Sequence, residues 1–317
     1  MAAITAGNRT LVLLSAMLTI SVAWGVLRIP DTDLPVAAFT FLTSAFLADE
    51  SSFRARTAMA LVLALYSSAA QLLIAVTPGL PVLQITLSTC FAFFTFASLP
   101  DFRAGCIVLL TGYLSFFAPS GFLSACGRAI DIFCGIIVIL VITALCGLNK
   151  TQTQIKYSPC SIRKSVALAA QLGAGNLIFQ LFQLDQGPWI MLTILFITMA
   201  ETPEASEKKL ALQRIFAVPA GIIAGGFLLS TFSRIDPRLV YLVPFIGAAG
   251  FFFLYKQGNF FLFSLIFMVT ITVFSDWMTG AYTQVHFRET LMARSLSSLI
   301  GAILTVIFRK RSTVWIL

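Results

Sequence analysis

The sequence predicts an all-α polytopic membrane protein of about twelve transmembrane helices, built as two parallel six-helix repeats with both termini in the cytoplasm. Three observations lead there. Of 317 residues, 58% are hydrophobic and 11% charged, with a mean hydropathy of +0.94, whereas soluble domains are about 25% charged. A soluble globule of this length needs more polar surface than the chain can supply, so a soluble enzyme, a nucleic-acid binder and a disordered scaffold are poor readings. Second, the apolar runs are long and unbroken, unlike the ten-residue alternation of an outer-membrane barrel. Third, the net charge of +8 is unevenly distributed along the chain, as basic loops retained on one side of a membrane would be.

The elements follow in order. The first apolar segment, 11–27, comes after Arg9; Ser21-Val22-Ala23 is a passable signal-peptidase site, but the segment has a counterpart at 165–182 and is expected to be retained. The second, 35–48, opens at Pro35, carries Thr40 and ends in Asp49-Glu50 followed by Arg54 and Arg56. The third, fourth and fifth occupy 57–76, 80–98 and 104–118, and the sixth, 130–148, begins beside Arg128 and Asp131. A basic linker, 149–164, separates this first repeat (1–148) from the second (165–317). There the seventh segment, 165–182, precedes an eighth at 188–200, which opens at Pro188, carries Trp189 and Thr193 and ends at Glu201. The ninth, 214–232, starts at Arg214 and contains Pro219, Gly221 and Gly225; the tenth and eleventh are 238–254 and 259–275, and Asp276-Trp277 closes the eleventh. The twelfth, 291–308, contains Arg294 and Gly301. Twelve spans of roughly 20 residues consume most of the chain and leave no room for an extramembrane domain.

Placing the N-terminus inside puts 15 Lys and Arg on the cytoplasmic side and 6 outside, which sets the orientation. The repeat rests on matched positions. Thr40 lies five residues after Pro35 and Thr193 five after Pro188, while Arg128 precedes Gly135 by seven and Arg294 precedes Gly301 by seven. Six spans per half keep both halves in one orientation.

The second and eighth segments are the shortest. Short segments at corresponding places in two halves point to a transport site; their Pro-started ends would offer free N–H groups and partial positive charge to a carboxylate. Asp131, an acid at the head of an apolar run, is a functional candidate with Arg128 as its expected partner. Arg128 and Arg294 are expected either to snorkel to the interface or to face an anionic substrate. Asp276 reads as an interfacial anchor beside Trp277, and His286 as a solvated loop residue. Gly221 and Gly225 form a GxxxG pair that marks close helix packing. The Phe-rich stretches at 91–96, 251–253 and 260–263 read as lipid-facing or packing residues, and the six cysteines as small packing residues without metal-site spacing. No HExxH, GxSxG or Walker A motif is present. The chain is therefore expected to be no enzyme, to need no cofactor or metal, and to bind no nucleic acid.

Trp189-Ile-Met-Leu-Thr193, the loop with Glu201 and Lys208-Lys209, and then Gln213-Arg214-Ile-Phe-Ala-Val-Pro-Ala-Gly221 resemble the FUSC superfamily of fusaric-acid-resistance and aromatic-acid-exporter proteins. Ala217-Val218 depart from its usual Gly-Thr, and the 149–164 linker leaves no space for the cytoplasmic domain of larger members, so this would be a compact form. The resemblance implies a bacterial inner-membrane efflux component. It would export small amphipathic or aromatic organic acids, use the proton gradient and work with a periplasmic membrane-fusion adaptor; a homo-oligomer is a further option. Arg128, Arg294 and the Pro-started helix ends would attract the anion, and Asp131 or Glu201 would couple the proton. The alternatives are an anion channel, a non-transporting assembly subunit, or a major-facilitator-like transporter. The last rests on Ala45-Phe-Leu-Ala-Asp49 with Arg54 and Arg56, but the glycines of that loop motif are absent.

Overall fold

The computed structural model describes residues 43, 53–77, 79–117, 121–145, 159–200, 207–236, 259–278 and 284–314; the side chains at 53, 117, 142, 143, 145, 207, 274–278, 284–286 and 309–314 are excepted. Among the described residues the fold is all-α. The helices are α1 (Phe53–Val76), α2 (Pro81–Ser98), α3 (Phe102–Leu114, continued by a 3-10 turn, Ser115–Phe117) and α4 (Phe122–Leu145), then α5 (Ile162–Phe182), α6 (Pro188–Met199), α7 (Glu207–Ile235), α8 (Phe260–Met278) and α9 (Gln284–Val314). Each of the nine expected segments that falls within the described residues is a helix. The segments at 11–27, 35–48 and 238–254 lie outside them, apart from Thr43, which is helical and buried.

Among the described residues, six helices are long and apolar enough to cross a membrane: α1, α2, α4, α5, α7 and α9. The chain is a multi-pass membrane protein, and its partner on that account is the lipid bilayer. The expected twelve spans and their two-repeat plan are not reached: the described residues supply six membrane-length helices, with α3, α6 and the Phe260–Val273 part of α8 as shorter apolar stretches. The physical reason is length. An apolar run looks like a span in sequence, yet the 12 residues of α6 and the 13 of α3 rise only about 18 and 20 Å against a hydrocarbon core of about 30 Å.

The chain divides into two compact units, Met1–Ala169 and Ala170–Leu317. In the first, α1 packs on α4 and α3, and α2 on α3 and α1. In the second, α7 pairs with α8 and α9, and α9 also pairs with α6. The long helices are apolar on their outer face, and on α9 the inner face is the polar one. On α9 the inward stripe is Thr290, Arg294, Ser297, Ser298, Gly301 and Thr305, all buried, while Met292, Leu296, Ile303 and Ile307 face outward. On α4, Ala125, Arg128, Ile132, Ile136 and Ile139 turn in, and Leu123, Ile130, Ile137 and Val141 turn out. Spacings of three and four residues put each set on one face, and an apolar outer stripe suits lipid.

Small residues allow the closest approaches. A side chain on Gly221 would meet the Leu265 carbonyl oxygen at 2.8 Å, and Gly225 and Thr272 crowd one turn further on. The GxxxG pair is therefore the seam between α7 and α8, as its spacing predicts.

Candidate functional site

The second unit is organised around α6. All twelve of its residues are buried, the mark of a helix enclosed by other helices. Gly175 of α5 lies against Ile190, Met191 and Ile194, and the ring of Phe267 on α8 meets Phe196. Gly301 brings α9 so close that an added Cβ would stand 2.5 Å from the Ile190 carbonyl oxygen and 3.0 Å from Thr193 Cβ. The glycine seven residues after Arg294 is thus the contact that seats α9 on α6.

Two buried guanidinium groups flank this helix. At its start, Arg294 Nε donates to Gln186 Oε1 at 3.2 Å, the indole Nε1 of Trp189 donates to the same oxygen at 3.1 Å, and the Arg294 guanidinium lies 5.4 Å from the Trp189 ring centroid. Gln186 therefore fixes both neighbours. It sits in the α5–α6 connection, where Gln183 takes a left-handed conformation (φ 48) and the Leu184 N–H returns to the Phe179 carbonyl, a Schellman-type helix end. Between Arg294 and Gly301, the Ser298 hydroxyl is buried without a hydrogen-bond partner among the described residues, as is the Thr193 hydroxyl across the seam. Thr198, one turn along, ties its hydroxyl back to the Ile194 carbonyl at 2.8 Å; Thr193 does not.

Two turns along α6 from Trp189, Arg214 of α7 is fully buried. Its guanidinium lies 4.7 Å from the Phe196 centroid and 5.9 Å from that of Phe267, and Nη2 reaches the Met268 thioether at 3.8 Å. Nε and Nη1 have no hydrogen-bond partner among the described residues. Cation–π contact is worth about 0.5–2 kcal/mol, whereas each unsatisfied buried donor costs about 1–3 kcal/mol, more when charged. The aromatic cage does not offset the burial.

The first unit holds Arg128 in a polar network. Its Nε donates to Gln71 Oε1 at 2.9 Å and its Nη1 to Ser124 Oγ at 2.8 Å, while Gln71 Nε2 donates to the Thr111 carbonyl at 3.1 Å. Among the described residues no ion pair joins Arg128 to Asp131, which is half-buried beside the inward stripe of α4. That expectation is corrected: three residues of separation allowed the pair, but helix rotation turns Arg128 onto α1. Arg128 and Arg294 are both buried, so neither snorkels. The expected free N–H groups at the start of α6 are also corrected. Pro188 has none, and the Trp189 and Ile190 N–H groups bond to the Gln186 and Gly187 carbonyls at 3.1 and 2.9 Å.

Thr40 and Glu201 lie outside the described residues, as do the side chains of Asp276 and His286. The sequence reading missed Gln71 and Gln186, the acceptors that hold the two arginines. It also missed Asp101, a buried carboxylate that caps α3 and binds Arg103 through both side-chain oxygens at 3.1 and 2.9 Å. No group of three His, Cys, Asp or Glu that could hold a metal occurs among the described residues.

Residues 172–308 match the family model described as fusaric acid resistance protein-like. This part of the second unit is therefore similar to that family's domain, and the match spans α6 together with Gln186, Trp189, Thr193, Arg214 and Arg294. No curated protein and no solved structure matches the chain.

Proposed function

We propose that the protein is a secondary efflux component that exports small amphipathic or aromatic organic acids across a bacterial inner membrane. One observation carries the reading. Within the matched segment, a buried arginine on the membrane-length helix α9 lies over a buried tryptophan of the short, enclosed helix α6. An ionisable group in that position is functional by default. Arg294 supplies charge and Trp189 a ring face, while the buried Thr193 and Ser298 hydroxyls offer hydrogen bonds to a hydroxyl or carboxyl group on the substrate. Gln186 presets both partners and so limits the reorganisation that binding requires.

The finer parts of the reading are a duplicated ancestry of the two halves, both termini in the cytoplasm, proton coupling through Asp131 or Glu201, and a periplasmic membrane-fusion adaptor. The parallel between Arg128 with Gln71 and Arg294 with Gln186 supports duplication. Asp131, an acid on a membrane-length helix with no ion pair among the described residues, supports a proton-carrying role.

The test is export. Cells lacking the protein should become sensitive to fusarate or 4-hydroxybenzoate, recover with the wild-type chain, and fail to recover with Arg294→Gln. Unchanged sensitivity and efflux across a broad panel of acids would end this reading. Loss of efflux on adding an uncoupler separates a proton-coupled carrier from a channel.

A further inference from the structure

We propose that Arg214 is a second anion site, occluded in this structure, that receives the carboxylate of an aromatic acid. The guanidinium is fully buried on a membrane-length helix, and its Nε and Nη1 donors have no partner among the described residues. Its one hydrogen-bond acceptor there is a thioether, a weak one on a flexible unbranched side chain that can yield its place to an oxygen. Carboxylate oxygens make charge-assisted bonds with guanidinium donors, the strongest this group forms.

The walls select what the carboxylate is attached to. Phe196 and Phe267 stand 4.5 Å apart, centroid to centroid, and Phe263 is 6.1 Å from Phe196. A small inorganic anion would have to shed its water shell in this apolar cage with one cation to compensate. An aromatic acid brings a ring that packs among the phenylalanines in edge or offset geometry while its carboxylate meets Arg214. The site differs from the Arg294 cluster, since Phe196 follows Trp189 by two turns of α6. It takes from the export reading only its class of ligand.

The full-length protein in lipid nanodiscs is titrated with 4-hydroxybenzoate, with benzyl alcohol (ring without carboxylate) and acetate (carboxylate without ring) as parallel arms. Binding is read by calorimetry and by the thermal unfolding midpoint. Wild type should bind 4-hydroxybenzoate and ignore both controls at the same concentration. Arg214→Met fills the cage with an apolar chain; it should raise the ligand-free midpoint and weaken binding by roughly thirtyfold or more. Arg214→Lys keeps the charge but loses the forked donors, and should fold and bind at an affinity between the two. Failure of wild type to bind 4-hydroxybenzoate, equal binding of acetate, or unchanged affinity in Arg214→Met overturns the proposal. So does a lowered ligand-free midpoint or loss of folding in Arg214→Met, because a guanidinium whose removal destabilises is already paired. Binding through Arg214 in a protein that exports nothing ends the export reading and leaves this site standing. Export that persists while Arg214→Met binds like wild type ends this proposal alone.

Discussion

At the Trp189 end of α6, Arg294 shares the Gln186 carbonyl with an indole N–H; two turns on, Arg214 faces two phenylalanines and a sulfur. The two groups carry the same charge at similar burial, and differ in the acceptor each meets: an amide oxygen for Arg294 Nε and a thioether sulfur for Arg214 Nη2. A buried cation held by an oxygen acceptor is positioned by the fold before any ligand arrives. One whose acceptors are missing keeps its desolvation cost until something else supplies them. The contrast teaches that burial alone does not distinguish the two arginines; the chemistry of the acceptor does, one being preset by an amide and the other caged by rings and a sulfur.

The most severe way to break this comparison is to push apart the helices that create both ends. Gly301→Leu drives a side chain into the Ile190 carbonyl and Thr193, and should cost about 3 kcal/mol, read as lost stability to denaturant in detergent micelles. A milder break acts on one end at a time. Gln186→Leu leaves the Arg294 and Trp189 donors short of their acceptor and should cost about 2 kcal/mol, with an altered Trp emission. At the other end, Met268→Leu replaces one apolar side chain by another of similar volume and should cost less than about 1.5 kcal/mol. Equal losses from these two substitutions would erase the distinction between the ends. Gln183→Gly sharpens the polar end: it relieves a left-handed backbone ahead of Gln186 and should add about 0.5–1 kcal/mol. The smallest effect belongs to Asp131→Asn. With no ion pair to break, it should leave stability within about 0.5 kcal/mol while abolishing proton-coupled efflux, measured as pH-gradient dependence in vesicles.

Much of this architecture was legible in the residues. Apolar runs located the helices because a membrane segment must satisfy its own backbone, and Trp189, Thr193, Arg294 and Gly301 came out on one seam because fixed spacings along α6 and α9 survive folding. The number of full spans was not legible. The sequence shows where a run is apolar and that the eighth is among the shortest, and only the fold shows that α6 is enclosed by its neighbours. Arg128 was paired with Asp131 because proximity along a helix is visible, whereas the Gln71 acceptor sits 57 residues away on another helix. Gln186 was hidden by its setting, since Asp-Gln-Gly-Pro reads as an ordinary polar turn. The cage around Arg214 had no signature at all. Phe196, Phe267 and Met268 each look like ordinary apolar filler until three helices bring them together.

The brevity of α6 also bears on how the protein is made. At 12 residues it falls short of the roughly 20 that a bilayer retains as an independent span, so it cannot anchor itself as it leaves the ribosome. Its seat is completed by α9, whose last residue, Val314, is synthesised more than a hundred residues after Met199. At about 5–20 residues per second, that is a delay on the order of ten seconds. During this interval α6 depends on α5 and α7 to hold it, with Gln186 and Trp189 still waiting for Arg294. Assembly of this unit is therefore completed from its C-terminal end. A chain truncated before α9 would release an unseated helix to the membrane's quality-control proteases.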